Sequence, residues 1–463
     1  MVRLFNRYIP TGDILFFLTE GLLISGCVLL AIFTRFLFNY EGILRYEYVL
    51  SKILFFTLLC QATIFYNDLY SANLKEKNRL LLIKLLQSIG IAAVLLTISY
   101  FFFPMLAIGR GIFILAVALL VPSLFIWRMY CQEIPFLSKR NENILIIGTG
   151  DLSIEIGKKI INKGSSGYKV VGYIDEDRDR VGQRLFNPSI IGSFDDIIPI
   201  VQNRKIDKII IAMAEMRGKF PVDPLLRLRL NGVEVEEGIS FYEKISEKIH
   251  VSHLKPGWLI FSEGFHRRRI EIGKRLTDII LSAIGLVLVT PIMLITAILI
   301  KLDSPGPVLF RQERVGEGEK TFILLKFRSM RNDAESKTGP VWASENDQRV
   351  TGVGRFIRKI RIDELPQMIN VLKGDMSFVG PRPERPHFIK MLEKEIPFYS
   401  LRHSVKPGIT GWAQVRYEYG ASVEDAMEKL QYDIYYIKNM SILFDLSIIL
   451  ETTKIVLLGE GSR

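Results

Sequence analysis

The stretch "DIILSAIGLVLVTPIMLITAILIK", Asp278 to Lys301, decides how the chain is organised. Between Ile279 and Ile300 it carries no charge, and it is as long as the ~20 residues that cross a bilayer as a helix. Two features argue against a simple crossing. Basic residues flank it on both sides, Lys274 and Arg275 before and Lys301, Arg311 and Arg314 after, so the flanks set no inside–outside asymmetry. Pro291 stands near its middle, where the missing N–H and the ring clash kink a helix. The segment 276–302 therefore reads as a broken helix that dips into one leaflet and returns, with a proline-kinked span as the alternative. The first reading leaves the rest of the chain on the side from which it came.

Upstream lie four more apolar stretches of spanning length, Ile14 to Phe38, Tyr48 to Tyr66, Leu80 to Phe103 and Ile112 to Trp127. Arg3 and Arg7 precede them, Lys75, Lys77 and Arg79 separate the second from the third, and Arg128, Lys139 and Arg140 follow the fourth. The other two loops offer only Arg45 and Arg110, so both ends of this bundle, residues 1–140, are expected on the cytoplasmic face. The N-terminus reads as an uncleaved membrane segment, because no small-residue cleavage site follows a short apolar core. Composition agrees. A net charge of +11 beside 49% apolar residues suits a basic protein seated on a lipid bilayer and not a nucleic-acid binder. Cys27, Cys60 and Cys131 are too dispersed for a disulfide framework or a zinc site and read as small buried hydrophobes.

From Asn143 the pattern becomes an α/β rhythm. "NILIIGTGDLSIEIGKKIINKG" is a buried strand, a glycine turn and a helix; "YKVVGYIDED", "DKIIIAMAE" and "VEVEEGIS" supply further strands. A Rossmann-like domain is expected over 141–262. Gly148 and Gly150 would suit a pyrophosphate and Asp175 a ribose hydroxyl, but Ser153 replaces the third fingerprint glycine. A nucleotide site and a purely structural or regulatory domain both remain open.

The chemistry concentrates in residues 263–463. "KFRSM" (Lys326–Met330), "RIDELPQ" (Arg361–Gln367), "FVGPRPE" (Phe378–Glu384) and "PGITGWAQV" (Pro407–Val415) follow one another, and the second places Asp363 beside Glu364 among Lys326, Arg328, Arg358, Arg361 and Arg382. Cations of this kind neutralise phosphoryl oxygens, with arginine preferred for bidentate contact. Pro366 can end or kink a helix just past the carboxylate pair. Trp412 is open between a pocket wall and a membrane anchor. The tail "SILFDLSIILETTKIVLL" reads as an amphipathic helix against the membrane interface or the core.

These four pieces, in this order and after a proline-broken hydrophobic segment, resemble the bacterial sugar transferases, the polyprenyl-phosphate hexose-1-phosphate transferases also called monotopic phosphoglycosyl transferases. The four spans and Rossmann-like domain resemble the larger members. The resemblance implies an α-helical membrane bundle, an α/β Rossmann-like domain and a mostly α-helical catalytic domain with a re-entrant membrane helix and amphipathic interface helices. It implies an enzyme that moves a sugar 1-phosphate from a UDP-sugar to polyprenyl (undecaprenyl) phosphate, releasing UMP, at the bacterial inner membrane with its active site facing the cytoplasm. Carried over by motif, Asp363 is the nucleophile and Glu364 a ligand of Mg²⁺, while Asp433 and Tyr436 fall where the family keeps polar residues. A homodimer is compatible with it.

The carboxylate pair then makes physical sense. Carboxylate attack on a phosphoryl group gives an acyl phosphate, which stays activated for a second acceptor, and Glu364 is a hard oxygen ligand of the kind Mg²⁺ takes. Two other classes compete. A nucleotide-sugar oxidoreductase or dehydratase lacks its Tyr-x-x-x-Lys pair in the α/β region, since Tyr48 and Lys52 open a membrane span. A non-catalytic assembly scaffold would leave the carboxylates and cations without a use.

Overall fold

The computed structural model describes the chain except residues 1, 5–6, 10, 37–46, 68, 71–77, 132–141, 163–166, 214–219, 255, 263, 266–267, 332–348, 418–419, 421 and 459–463. Arg45, Lys75, Lys77, Lys139, Arg140 and His266 therefore lie outside the described residues. Packing divides the chain into two compact units: Met1–Val2 with Tyr8–Glu236, and Arg3–Arg7 with Glu237–Arg463.

In the first unit the apolar stretches form α1 (Thr11–Arg35), α2 (Val49–Tyr66), α3 (Asn78–Phe102) and α4 (Arg110–Cys131). All four are long and apolar enough to cross a membrane. They share a core of Ile24, Phe56, Leu85, Leu120 and Leu124, while Leu22, Leu50 and Phe101 point outward, as expected of helices whose outer faces meet lipid. Glu20 of α1 and Arg128 of α4 are fully buried and pair at 2.7 Å, and Arg128 also donates to the Leu69 carbonyl. Each charge offsets the cost of burying the other.

The α/β part of this unit contains β1 (Glu142–Ile147), α5 (Asp151–Asn162), β2 (Tyr168–Asp175), β3 (Ile190–Ser193), α6 (Ile197–Arg204), β4 (Lys208–Ile211), α7 (Val222–Leu230) and β5 (Glu234–Glu237). The strand order is β3-β2-β1-β4-β5, with β1 parallel to β2 and β4, and β2 parallel to β3. This is the doubly wound arrangement expected from the sequence. Ile144 to Ile147 are fully buried because helices cover both faces of a parallel sheet.

In packing, the α/β domain ends earlier than the sequence reading had it. Helix α8 (Gly238–Ser246) and the segment to Leu254 bury Ile249, Val251 and Leu254 against Val379, Trp412 and Tyr435 of the second unit. Lys438 pairs with Glu243 at 2.6 Å, and Trp412 donates its indole N–H to the Glu247 carbonyl at 2.9 Å. Apolar side chains of 239–254 find their cover there, which sequence pattern alone does not reveal.

After α9 (Pro256–Phe261) comes α10 (Arg268–Asp303), which runs without interruption through Pro291. The expected break is thus a proline inside one helix. Loss of one N–H bond does not unwind a helix whose neighbouring turns remain bonded. Both halves of α10 pack on the same unit: Gly285 lies close to Met368, and Ile300 is buried with Phe327 and Ile357. Its other face is an apolar stripe of exposed residues, among them Val287, Leu288, Leu294, Ile295 and Leu302.

The antiparallel hairpin β6 (Leu309–Val315) and β7 (Thr321–Phe327) follows, then α11 (Gly352–Lys359), α12 (Gln367–Lys373), β8 (Ser377–Val379), α13 (Pro386–Glu395), β9 (Gly408–Thr410), α14 (Trp412–Arg416), α15 (Val423–Asn439) and α16 (Ile442–Leu458). Strands β8 and β9 pair in parallel, Ser377 opposite Gly408 and Val379 opposite Thr410. Trp412 is fully buried and stacks on Tyr435, so it is a core residue and not a membrane anchor. Helix α16 buries Phe444 and Ile448 and exposes Leu443, Leu446 and Leu450, so it packs on the core with one face and leaves an apolar face outside.

Thr351 caps α11 by accepting from the Gly354 N–H at 3.0 Å, and the turn crosses the Ser329 carbonyl so closely that a Cβ on Gly354 would sit 2.0 Å from its oxygen. Gly354→Ala is expected to abolish a monodisperse folded peak in size-exclusion chromatography. Gly352→Ala, whose added methyl would meet its nearest atom at 3.6 Å, is expected to leave the peak and the melting temperature close to wild type.

Candidate active site

Three pieces of backbone meet at the carboxylate pair. Strand β7 presents Lys326, the turn Ile362–Glu364 presents both carboxylates, and the Gly380–Glu384 turn presents Arg382. The carboxylate turn is 3₁₀ and not α, so successive side chains stand about 120° apart. Arg361 opens it with φ +56°, a left-handed conformation that costs a non-glycine residue of order 1 kcal/mol. Pro366, with φ −61°, starts α12 and does not end a helix. Asn370 then fixes the turn to the hairpin: its side chain accepts from the Leu325 N–H at 3.0 Å and donates to the Ile323 carbonyl at 2.7 Å. Arg275 of α10 donates to the carbonyls of Val371 and Leu372 at the far end of α12.

Both carboxylates are 8% exposed, yet their surroundings differ. Glu364 Oε1 accepts from Arg382 at 2.8 Å and from Lys326 at 3.1 Å, and its Oε2 faces Arg361 at 3.8 Å. Burial penalises its charge, but Arg382, Lys326 and Arg361 outweigh burial and hold the group well below the usual carboxylate range. Among the described residues no hydrogen bond or ion pair engages the Asp363 side chain. Burial, and then the charge of Glu364, push its pKa up, against the pull of Lys326, Arg358 and Arg382. Burial likewise lowers Lys326, with Glu364 working in the opposite direction. One carboxylate is thus held as a permanent anion by a ring of cations, and the other stands beside it uncommitted.

The candidate cations separate on inspection. Lys326, Arg358, Arg361 and Arg382 surround the pair. Arg328 does not. It is 4% exposed, and its guanidinium donates to the carbonyls of Ile300, Ser304 and Pro305 and to the Ser304 hydroxyl, capping the end of α10. Asp433 is buried at 3.0 Å from Arg402, and burial raises its carboxyl to about 6 despite that partner. The Tyr436 hydroxyl lies 2.8 Å from Asp445 and 3.1 Å from the Val379 carbonyl, with Lys274 of α10 on the other Asp445 oxygen at 2.5 Å. Asp433 and Tyr436 therefore brace the site from behind.

That bracing contains residues the sequence reading passed over. Arg402 donates to the Arg382 carbonyl at 2.9 Å, and Arg314 donates to the Pro383 carbonyl at 3.0 Å. Asp278, in the apolar helix, accepts from the Ser377 hydroxyl and the Phe378 N–H, both at 3.0 Å. Gly380 N–H donates to the Thr410 carbonyl and Gly408 N–H to the Pro381 carbonyl, so "PGITG" stitches the Gly380–Glu384 turn in place. A carboxylate at the very edge of an uncharged run, as at Asp278, is the signal that could have found one of them.

In the α/β domain, the Gly148 turn is satisfied from within. Gly148 has φ +110°, and a Cβ there would sit 2.7 Å from the Ala212 oxygen, so the glycine is required by the neighbouring strand end. Asp175 accepts from Thr149 at 2.6 Å, from Arg180 at 2.7 Å and from the Asp177 N–H at 3.0 Å. Ser153, in place of the third glycine, donates to the Ala212 carbonyl. The carboxylate expected to meet a ribose is occupied by its own chain.

Comparison with known proteins identifies the family. Residues 269–459 match the bacterial sugar transferase family, and residues 66–228 match a family described as a CoA-binding domain. The chain is 43% identical over 187 residues to the exopolysaccharide production protein PSS of Rhizobium leguminosarum bv. phaseoli, covering 39% of this chain and 92% of that one. It is 52% identical over 190 residues to the UDP-N-acetylgalactosamine-undecaprenyl-phosphate N-acetylgalactosaminephosphotransferase of Aeromonas hydrophila, covering 41% of this chain and 45% of the relative. Over a longer stretch of 327 residues it is 33% identical to the UDP-glucose:undecaprenyl-phosphate glucose-1-phosphate transferase of Xanthomonas campestris pv. campestris, covering 68% and 66%. The match thus spans less than half of the Aeromonas relative and about two thirds of the Xanthomonas one. The chain belongs to the bacterial sugar transferase family.

Arg328 and Arg382 are to be told apart by stability. Arg328→Met removes a buried cation that donates to the carbonyls of Ile300, Ser304 and Pro305, and is expected to cost about 3 kcal/mol in denaturant unfolding of the detergent-solubilised protein. Arg382→Met takes the nearest cation from buried Glu364 but leaves Lys326 and Arg361 beside it, and is expected to cost less, about 1–2 kcal/mol.

Proposed function

We propose that the chain transfers a sugar 1-phosphate from a UDP-sugar to undecaprenyl phosphate at the cytoplasmic face of the membrane. The observation that carries this reading is the contrast between the adjacent carboxylates, one bound by cations and one uncommitted. Relatives named for N-acetylgalactosamine and for glucose support the reaction class and leave the sugar open.

In this reading an Asp363 carboxylate oxygen attacks the phosphorus that bears the sugar. A P–O bond to UMP breaks as the new bond to Asp363 forms, and UMP leaves with the bridging oxygen. An oxygen of the lipid phosphate then attacks the same phosphorus, the bond to Asp363 breaks, and the carboxylate is regenerated. Dividing the transfer this way means that two polyanionic substrates never have to meet at once. Lys326, Arg358 and Arg382 offset the repulsion between an anionic nucleophile and a diphosphate. The donor set also fits Mg²⁺, since two buried carboxylates offer hard oxygens and Mg²⁺ binds through one or two of these together with substrate phosphates. Glu364 would hold the ion, which would supply further charge neutralisation at the phosphates when bound.

The placement of α10 in the membrane belongs to the same proposal. Both of its halves pack on the unit that carries the site, and its outward stripe is apolar, which favours a helix lying in one leaflet beneath the active site. The lipid phosphate would then arrive from the membrane and the UDP-sugar from water.

Asp363→Asn is expected to abolish UMP release from UDP-sugar and undecaprenyl phosphate by at least about 10³-fold; full release by this variant would rule out the nucleophile. The pH profile of the wild type gives an independent check. Attack needs ionised Asp363, whose pKa is raised, so the acid limb should fall above the ordinary carboxylate range. Phosphate neutralisation needs charged Lys326, whose pKa is lowered, so the alkaline limb should fall below the ordinary lysine value.

A further inference from the structure

We infer that this protein has a second cation site, distinct from the carboxylate pair, formed by Glu319, Glu393 and His403 and suited to a borderline divalent transition metal such as Zn²⁺. One ligand atom from each residue lies within 4.8 Å of the other two, and among the described residues this is the one group of three such side chains. The three come from separate elements: the turn between β6 and β7, helix α13, and the 3₁₀ segment Tyr399–Ser404. Convergence from three elements is what a site needs and what one acidic helix face does not provide.

The second observation is the histidine. His403 is 7% exposed, its Nδ1 is buried with no hydrogen-bond partner, and a ring nitrogen faces the two carboxylates. A buried ring nitrogen left without a partner has lost its hydration with nothing in exchange. The glutamates are exposed, so their long side chains can close the remaining distance around an ion. One imidazole with two carboxylates, leaving room for water, is a ligand set for Zn²⁺, Co²⁺ or Mn²⁺; Mg²⁺ and Ca²⁺ prefer oxygen alone.

The location gives such an ion a structural consequence. His403 adjoins Arg402, which holds the Arg382 carbonyl and pairs with Asp433. An ion there would fasten the hairpin and α13 to the segment that positions Arg382, without touching substrate.

Co²⁺ serves as the spectroscopic probe, added to full-length protein purified without a polyhistidine tag. One equivalent should give visible d–d absorption displaced by Zn²⁺ and unaffected by millimolar Mg²⁺. His403→Ala, Glu319→Gln and Glu393→Gln should each weaken binding by about 100-fold or more, while Glu364→Gln should leave the absorption intact. The two glutamate variants replace exposed side chains and should keep the metal-free melting temperature, so a folding defect in His403→Ala would not obscure the result. No saturable absorption, binding that survives all three substitutions, or absorption lost in Glu364→Gln and kept in His403→Ala would overturn the site.

Discussion

A carboxylate almost withdrawn from water stays ionised only if cations replace the water, and the arrangement around Glu364 follows from that constraint. Its charge is met by Arg382 at 2.8 Å, Lys326 at 3.1 Å and Arg361 at 3.8 Å. Each lies on a different piece of backbone, so each piece has to be held. Asn370 ties the Lys326 strand to α12, the strained Arg361 opens the carboxylate turn, and Arg402, Arg314 and Asp278 fix the turn that bears Arg382. The cost of the arrangement falls on Asp363, which shares the burial without a hydrogen bond or ion pair of its own among the described residues, and whose pKa burial and the neighbouring Glu364 push up.

The long apolar helix α10 belongs to this network. Arg275, Lys274 and Asp278 of α10 reach α12, Asp445 and β8, and its C-terminal end is capped by Arg328. The active-site turns are thereby keyed to the segment whose other face is apolar. A family that works on a lipid-linked phosphate has reason to join these two surfaces in one rigid element.

Much of this was legible in the sequence, for identifiable reasons. Apolar runs of spanning length and the β–turn–α rhythm are periodic signals, and the helices and the sheet followed from them. The carboxylate pair and its cations were legible because local motifs carried them. What escaped depends on long-range partners. Arg328 reads as a phosphate ligand until the end of α10 is seen to need its donors, and Asp433 reads as a site residue until Arg402, 31 positions before it, is found against it. Asp175 has the expected ribose spacing, yet Arg180 and Thr149 take its oxygens. Pro291, which reads as a break, lies inside one continuous stretch of helix.

The central claim is that Asp363 carries the sugar phosphate covalently. Intact-mass and peptide analysis of the protein after incubation with a UDP-sugar it accepts, without lipid acceptor, tests this most directly. The account predicts an added sugar phosphate on the peptide containing Asp363, removed when undecaprenyl phosphate is supplied. An enzyme that turns over while forming no adduct, or that forms one on a different residue, would contradict it.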